Sequence, residues 1–233
     1  MDIRNARVLV TGGSSGIGFE TARLLKQRGA GVAICGRDRR KLEQAAHEID
    51  VFPIVADVSR ESDVVEMVRE VIEEMDDYNV LINNAGFGAF SPLVELKLES
   101  MLDVLATNVI GATVVARESA RHFVARGYGN IVNIASTAAQ RGFAGGSAYV
   151  ASKFALAGLT ECWRAELRKH NIRVMQVNPS EVLTEFSSSS GREQKASERK
   201  LRPLEIAHTI ASMLELDERG FITDATVWAT NPD

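Results

Sequence analysis

Tyr149 and Lys153 stand four residues apart in the stretch Tyr149-Val150-Ala151-Ser152-Lys153. On a helix that spacing puts both side chains on one face. A free phenol titrates near pH ~10, too high for easy proton exchange at neutral pH. An ammonium about 4 Å away, at an effective dielectric near ~20, contributes about 4 kcal/mol, enough to bring the phenol to about 7. A group titrating there suits general acid–base chemistry. The pair alone is a weak signal, since many amphipathic helices carry a tyrosine and a lysine on one face. Ser136 adds to it, because it follows the apolar run Asn130–Ala135 and offers a hydroxyl that can hold a carbonyl oxygen.

A second cluster lies near the start of the chain, Val10-Thr11-Gly12-Gly13-Ser14-Ser15-Gly16-Ile17-Gly18. Glycine lets a backbone turn sharply and approach a ligand with no Cβ in the way. A helix starting there points unpaired N–H groups and its dipole at a pyrophosphate. The spacing Gly12, Gly16, Gly18 is not the general G-x-G-x-x-G fingerprint. Its place between a first strand and a first helix nevertheless points to a dinucleotide, with Gly12, Ser14, Ser15, Ile17 and Gly18 as its contacts. The next strand ends in Ile34-Cys35-Gly36-Arg37-Asp38. An acid there would bond the ribose of NAD, whereas arginine accommodates a 2′-phosphate. Gly36 is small, and Arg37 offers a planar, permanently charged fork. The reading favours NADP(H) over NAD(H). Two alternatives stand beside it: Arg37 as a solvated charge, and Asp38 paired with Arg37 or turned inward to the ribose.

These residues need a scaffold that brings them to one edge. Short apolar runs at Arg7–Val10, Gly31–Cys35, Phe52–Ala56, Val80–Asn83, Asn130–Ala135, Arg173–Val177 and Ala225–Trp228 read as strands buried on both faces. Helical patterns lie between them at Gly16–Arg28, Arg39–Ile49, Glu61–Glu74, Leu98–Arg126, Ala148–His170 and Pro203–Leu214. Such alternation predicts an α/β fold, one doubly wound Rossmann-type parallel sheet with helices on both faces, spanning residues 1–233 as a single domain. Ser136 and Asn83-Asn84-Ala85-Gly86 then fall at the carboxyl edge, where open α/β sheets bind ligands. Asn108 sits inside the helix Leu98–Arg126, either for a special contact or as an exposed residue. The polar stretch Phe186–Lys200, within a variable loop at about 185–202, reads as a solvated connector or a substrate-side flap.

Composition narrows the rest. The 233 residues are 45% hydrophobic and 25% charged, with net charge -4 and no long basic run. That argues against nucleic acid as a partner. No apolar run reaches the roughly 18 residues of a membrane span, and no signal peptide precedes the first strand, so a cytoplasmic location is expected. Cys35 and Cys162 form neither a disulfide framework nor a metal knuckle and read as small buried residues. His47, His122, His170 and His208 show no ligand spacing, and no metal site is expected.

Several motifs in order resemble the short-chain dehydrogenase/reductase family along nearly the whole chain. They are TGGSSGIG at 11–18, Asp57-Val58, NNAG at 83–86, Asn108, Ser136 thirteen positions before Tyr149, YVASK at 149–153 and NPSEVLT at 178–184. The resemblance implies an NADP-preferring carbonyl or ketoacyl reductase-like enzyme. Ser136, Tyr149 and Lys153 would be its catalytic triad, extended by Asn108 through a bound water. Asp57 would contact adenine with Val58 beside it, and Asn84, Ala85 and Gly86 would line the ribose. Lys153 would hold the nicotinamide ribose, and Val182 and Thr184 would touch the carboxamide or phosphates. The chain departs from the family at Pro179-Ser180, where Pro-Gly is usual, and at its C-terminus, which lacks the glycine-rich tail of fatty-acid-synthesis ketoreductases.

The expected activity is NADPH-dependent reduction of a ketone or aldehyde, reversible as an alcohol dehydrogenase. A regulatory NADP(H)-binding module, or an epimerase or dehydratase on the same fold, are the alternatives. The helices Leu98–Arg126 and Ala148–His170 carry apolar residues on more than one face, which calls for a second partner. Relatives pair these helices across two-fold axes, so a homodimer or homotetramer is expected.

Overall fold

Val8, Leu9 and Val10 are all fully buried in strand β1 (Arg7–Thr11), so neither face of this strand meets water. The computed structural model describes residues 1–184 and 199–231. Residues 185–198, most of the polar stretch expected to be a connector or flap, lie outside the described residues. The remaining strands are β2 (Gly31–Gly36), β3 (Phe52–Val55), β4 (Val80–Asn83), β5 (Gly129–Ile134), β6 (Ile172–Pro179) and β7 (Asp224–Val227). They form one seven-stranded sheet in the order β3-β2-β1-β4-β5-β6-β7, parallel throughout. Pro53 lies in an edge strand, where a missing backbone donor does least harm.

Helices cover both faces: α1 (Gly16–Gln27), α2 (Arg39–Ile49), α3 (Glu61–Glu74), α4 (Leu98–Leu105), α5 (Ala112–Arg126), α6 (Ser147–Leu167) and α7 (Pro203–Glu215). Alternate strand residues serve opposite layers. Val8, Val10, Ile34 and Val177 join Ala22, Leu25, Ile206 and Ile210 on one side. Leu9, Ala33, Ile131 and Val174 join Val64, Val68, Val115 and Phe123 on the other.

Three expectations need correction. The helix Leu98–Arg126 is not continuous α-helix, because a π-turn at Ala106–Gly111 separates α4 from α5. There Gly111 meets the Val58 carbonyl so closely that a Cβ would lie 2.6 Å from its oxygen. The same 29-residue run is long and apolar enough to pass for a membrane span, because its Leu, Val and Ile residues raise its hydropathy. Its inner face rests on α3, β4, β5 and α6. Of the two cysteines only Cys35 is buried, while Cys162 is exposed on α6.

Candidate active site

Chain order reverses between β1 and β4, and the sheet opens a crevice at their carboxyl ends. Thr11 closes β1, and its Oγ1 accepts the backbone N–H groups of Asn84 and Ala85, each at 2.9 Å. The Asn84 amide reaches back to the carbonyls of Thr11 at 2.8 Å and Gly12 at 3.1 Å. Gly12 (φ 64°) and Gly16 (φ 57°) take the left-handed conformation that glycine adopts freely. A Cβ at Gly18 would stand 2.3 Å from the Gly12 carbonyl oxygen. Ser15 precedes α1 without a side-chain capping bond, so its hydroxyl does not occupy the first-turn N–H groups. A pyrophosphate fits this cradle, because backbone donors are available and no side chain fills the turn.

At the far end of the crevice, Arg37 is mostly exposed, with its NH1 3.9 Å from Asp57 Oδ2. Asp38 is not paired with Arg37, which faces Asp57 instead, and it lines the cleft. Its carboxylate caps α2 by accepting the Lys41 N–H at 3.0 Å. Burial pushes the Asp57 carboxyl up, but the Ser59 hydroxyl and amide, with Arg37 and Arg60, outweigh it and hold the group below the usual carboxylate range. A Cβ at Gly36 would meet only ordinary contacts, Leu42 Cδ1 at 3.4 Å and Ser14 Oγ at 3.6 Å.

The candidate catalytic residues gather past β5 and at the start of α6. Ser136 caps a short 3-10 turn, Thr137–Ala139, its Oγ accepting the Ala138 N–H at 3.1 Å. Tyr149 lies in the first turn of α6, and Lys153 follows one turn later. Lys153 is buried, donates to the Ile134 carbonyl at 2.8 Å, and sits 5.7 Å from the Tyr149 ring centroid. The expected depression of Tyr149 is absent. Burial pushes its phenol up to about 12, against a hydrogen bond with Ser136 that pulls it down. Burial likewise pushes Lys153 down to about 8. Desolvation is the leading cause for both groups.

Asn108 lies within the π-turn, and it makes a special contact. Its Oδ1 accepts the Phe87 N–H at 3.0 Å. Its Nδ2 donates to the Phe87 carbonyl at 2.8 Å and to Ser152 Oγ at 3.0 Å. Ser152 donates in turn to the Tyr149 carbonyl at 2.7 Å.

One cleft of about 1000 Å³ is lined by Gly12, Ser14, Ser15, Ile17, Arg37, Asp57, Val58, Asn84, Ala85, Gly86, Ser136, Tyr149, Lys153, Val182 and Thr184. Gly18 and Asn108, also expected at the site, stand behind its wall. Gly18 serves the close packing of the turn, and Asn108 braces Phe87 and Ser152. Ser180, where glycine was expected by resemblance, is outside the left-handed region and donates its N–H to Val227 at 2.9 Å. Phe87, Phe90, Arg141, Phe143 and Trp228 also line the cleft and were missed. For Trp228 a signal existed: it follows the last strand at the carboxyl edge, but it had been counted inside the strand.

A doubly wound parallel sheet with a glycine turn at its switch point is a Rossmann-type dinucleotide fold. Comparisons with known proteins narrow this. Residues 6–195 match the short chain dehydrogenase family. The NADP-dependent 3-hydroxy acid dehydrogenase of Schizosaccharomyces pombe is 32% identical, with 96% of this chain and 92% of that one covered. An alcohol dehydrogenase from the archaeon Thermococcus sibiricus, solved with 5-hydroxy-NADP, superposes with TM-score 0.88 at 28% identity, covering 97% of this chain and 98% of that one. A 3-ketoacyl-(acyl-carrier-protein) reductase from Brucella melitensis, complexed with NADH, gives TM-score 0.89 at 27% identity over 96% of each chain. The chain belongs to the short-chain dehydrogenase family and is an NAD(P)-dependent oxidoreductase acting on hydroxyl or carbonyl groups.

Proposed function

We propose that this protein is an NADPH-dependent reductase of ketones or aldehydes, able to run in reverse as an alcohol dehydrogenase. The observation that carries the reading is that Ser136, Tyr149 and Lys153 line the same cleft as the glycine turn. A reduced nicotinamide, when bound, supplies a hydride to the carbonyl carbon. Gly12, Ser14, Ser15 and Ile17 would hold its pyrophosphate, Asp57 and Val58 its adenine, Ala85 and Gly86 a ribose, and Val182 and Thr184 the nicotinamide side.

Ser136 donates to the carbonyl oxygen and orients it. Tyr149, its phenol raised to about 12 by burial, stays protonated at neutral pH and gives its proton to that oxygen. Lys153, lowered to about 8, is still mostly charged at pH 7 and stabilises the tyrosinate left behind. Asn108 positions this pair indirectly, through Ser152 and the Tyr149 carbonyl.

Arg37 supports the choice of NADPH. It is exposed in the cleft, Asp57 is 3.9 Å away, and Asp38 is engaged in capping α2. Hydrogen bonds to charged groups contribute about 1.5–3 kcal/mol, so this contact would favour NADPH by roughly 10- to 150-fold. Steady-state kinetics with both cofactors, against ketones, aldehydes, quinones and acyl thioesters, tests the reading. A wild-type preference for NADH would return Arg37 to a solvated charge. No oxidation of either cofactor on any compound would overturn the activity.

Self-association is part of the same reading. Leu98, Leu102 and Ile110 of the α4–π–α5 run and Phe154 of α6 are exposed although large and apolar. Burying them against a second copy would stabilise a homodimer or homotetramer. Light scattering at micromolar concentration that gave only a 25.4 kDa species would refute this.

A further inference from the structure

Arg141 lines the cleft beyond Ser136, and its guanidinium carbon lies 4.8 Å from the centroid of the Trp228 ring. Stacking of this kind uses the face of a guanidinium and leaves its in-plane N–H groups open. Among the described residues Arg141 has no hydrogen-bond or ion-pair partner. The neighbouring charges are already paired: Lys200 meets Glu181 at 2.7 Å, with Lys200 largely covered. Gln140 anchors the Arg141 segment by donating to Thr226 Oγ1 at 3.1 Å, two residues before Trp228 in the chain. The opposite side of this end is aromatic. Phe90 contacts Tyr149 edge-on at 5.6 Å and Phe143 at 5.9 Å.

We propose that Arg141, held over the Trp228 ring, takes a carboxylate of the substrate, so that this enzyme works on oxo acids and the corresponding hydroxy acids. The inference rests on the reductase reading above and names its substrate class. A planar fork of N–H donors matches a carboxylate in two-point fashion. One guanidinium also matches the single charge of a carboxylate better than a dianionic phosphate. Ser136 and Tyr149 then hold the carbonyl, the phenylalanines cover the carbon chain, and Arg141 fixes the other end. Orientation by two separated points also selects which face of the carbonyl is presented.

The test compares kcat/KM, at saturating NADPH or NADH, for 2-, 3- and 4-oxobutanoate, their methyl esters and benzaldehyde. At least one acid is expected to exceed its ester by about tenfold, the lower end for a charged hydrogen bond at a half-open site. Arg141→Gln should lower that acid-to-ester ratio about tenfold, with Arg141→Lys recovering part of it. Trp228→Leu should lower it less, by freeing the guanidinium. Added salt should raise KM for the acid and leave that for the ester nearly constant. Turnover of esters and benzaldehyde with no preference for any acid would overturn the carboxylate assignment and leave the reductase standing. An unmoved ratio in Arg141→Gln would do the same. No oxidation of either cofactor with any compound would instead overturn the reductase reading, and this one with it.

Discussion

The two ends of the cleft are built differently. At the glycine turn, position is set by backbone: Thr11, Gly12, Asn84 and Ala85 are tied together by four hydrogen bonds between β1 and β4. There is no spare room, since a single added carbon at Gly18 would strike the Gly12 carbonyl. At the other end, position is set by side chains on connecting segments. Phe90 packs tilted against Phe143, Arg141 lies over the Trp228 ring, and Arg141, Phe143 and Trp228 are exposed. A backbone-locked end suits a ligand that never changes, and a side-chain end suits one that differs between relatives. Tyr149 stands between them and should serve every substrate alike.

That contrast can be broken by substitution. Tyr149→Phe should cost about 10²–10⁴-fold in kcat on every carbonyl compound, with cofactor affinity kept. Near-normal turnover would remove Tyr149 from the chemistry. Arg37→Ala should raise KM for NADPH roughly 10- to 150-fold and leave KM for NADH unchanged. Gly36→Asp should invert the cofactor preference without unfolding the chain, because its Cβ has room. NADPH kinetics unchanged from wild type in both variants would detach the 2′-phosphate from this corner.

A pH profile sharpens the seam between the ends. In the free enzyme Lys153 loses its charge as pH rises through about 8. Because kcat/KM reports the free enzyme, it should fall above that pH. Lys153→Met should be slower and should lack this limb, the fall moving up toward the Tyr149 value of about 12. An unchanged limb in the variant would assign it to another group. The smallest effect is expected at the substrate end. Phe90→Leu should reorder substrates by a few-fold, in the range of about 1 kcal/mol for an aromatic contact, with KM for NADPH unmoved. A matching change in cofactor KM would mean that the two ends are coupled.

Much of the backbone-locked end was legible in the sequence. Consecutive apolar residues such as Val8–Val10 indicate burial on both faces, and glycine at 12, 16 and 18 has few other uses after a first strand. The side-chain end was not, because Phe90, Arg141 and Trp228 carry no local period and meet only through the tertiary fold. Tyr149 shows a subtler failure. Spacing places it beside Lys153, but a fixed effective dielectric ignores burial, and burial of both groups reverses the direction. The π-turn at Ala106–Gly111 was likewise hidden, since apolar residues on more than one face of this run mask the shift in phase that a π-turn introduces.

The pairing of Val182 with Leu201 bears on how such an enzyme diversifies. Val182 bridges Leu201 in parallel, Leu183 donates to the Leu201 carbonyl at 2.8 Å, and Lys200 clasps Glu181 beside them. The frame therefore fixes where the chain between these positions departs and where it returns, whatever its sequence. With ends already joined, doubling such a segment costs only about 0.6 kcal/mol in closure entropy. Descendants can thus trade this stretch for a longer, shorter or differently charged one while β6 and α7 stay where they are. Selection acquires an interchangeable cassette beside a fixed catalytic centre, and laboratory grafting can exploit the same two junctions.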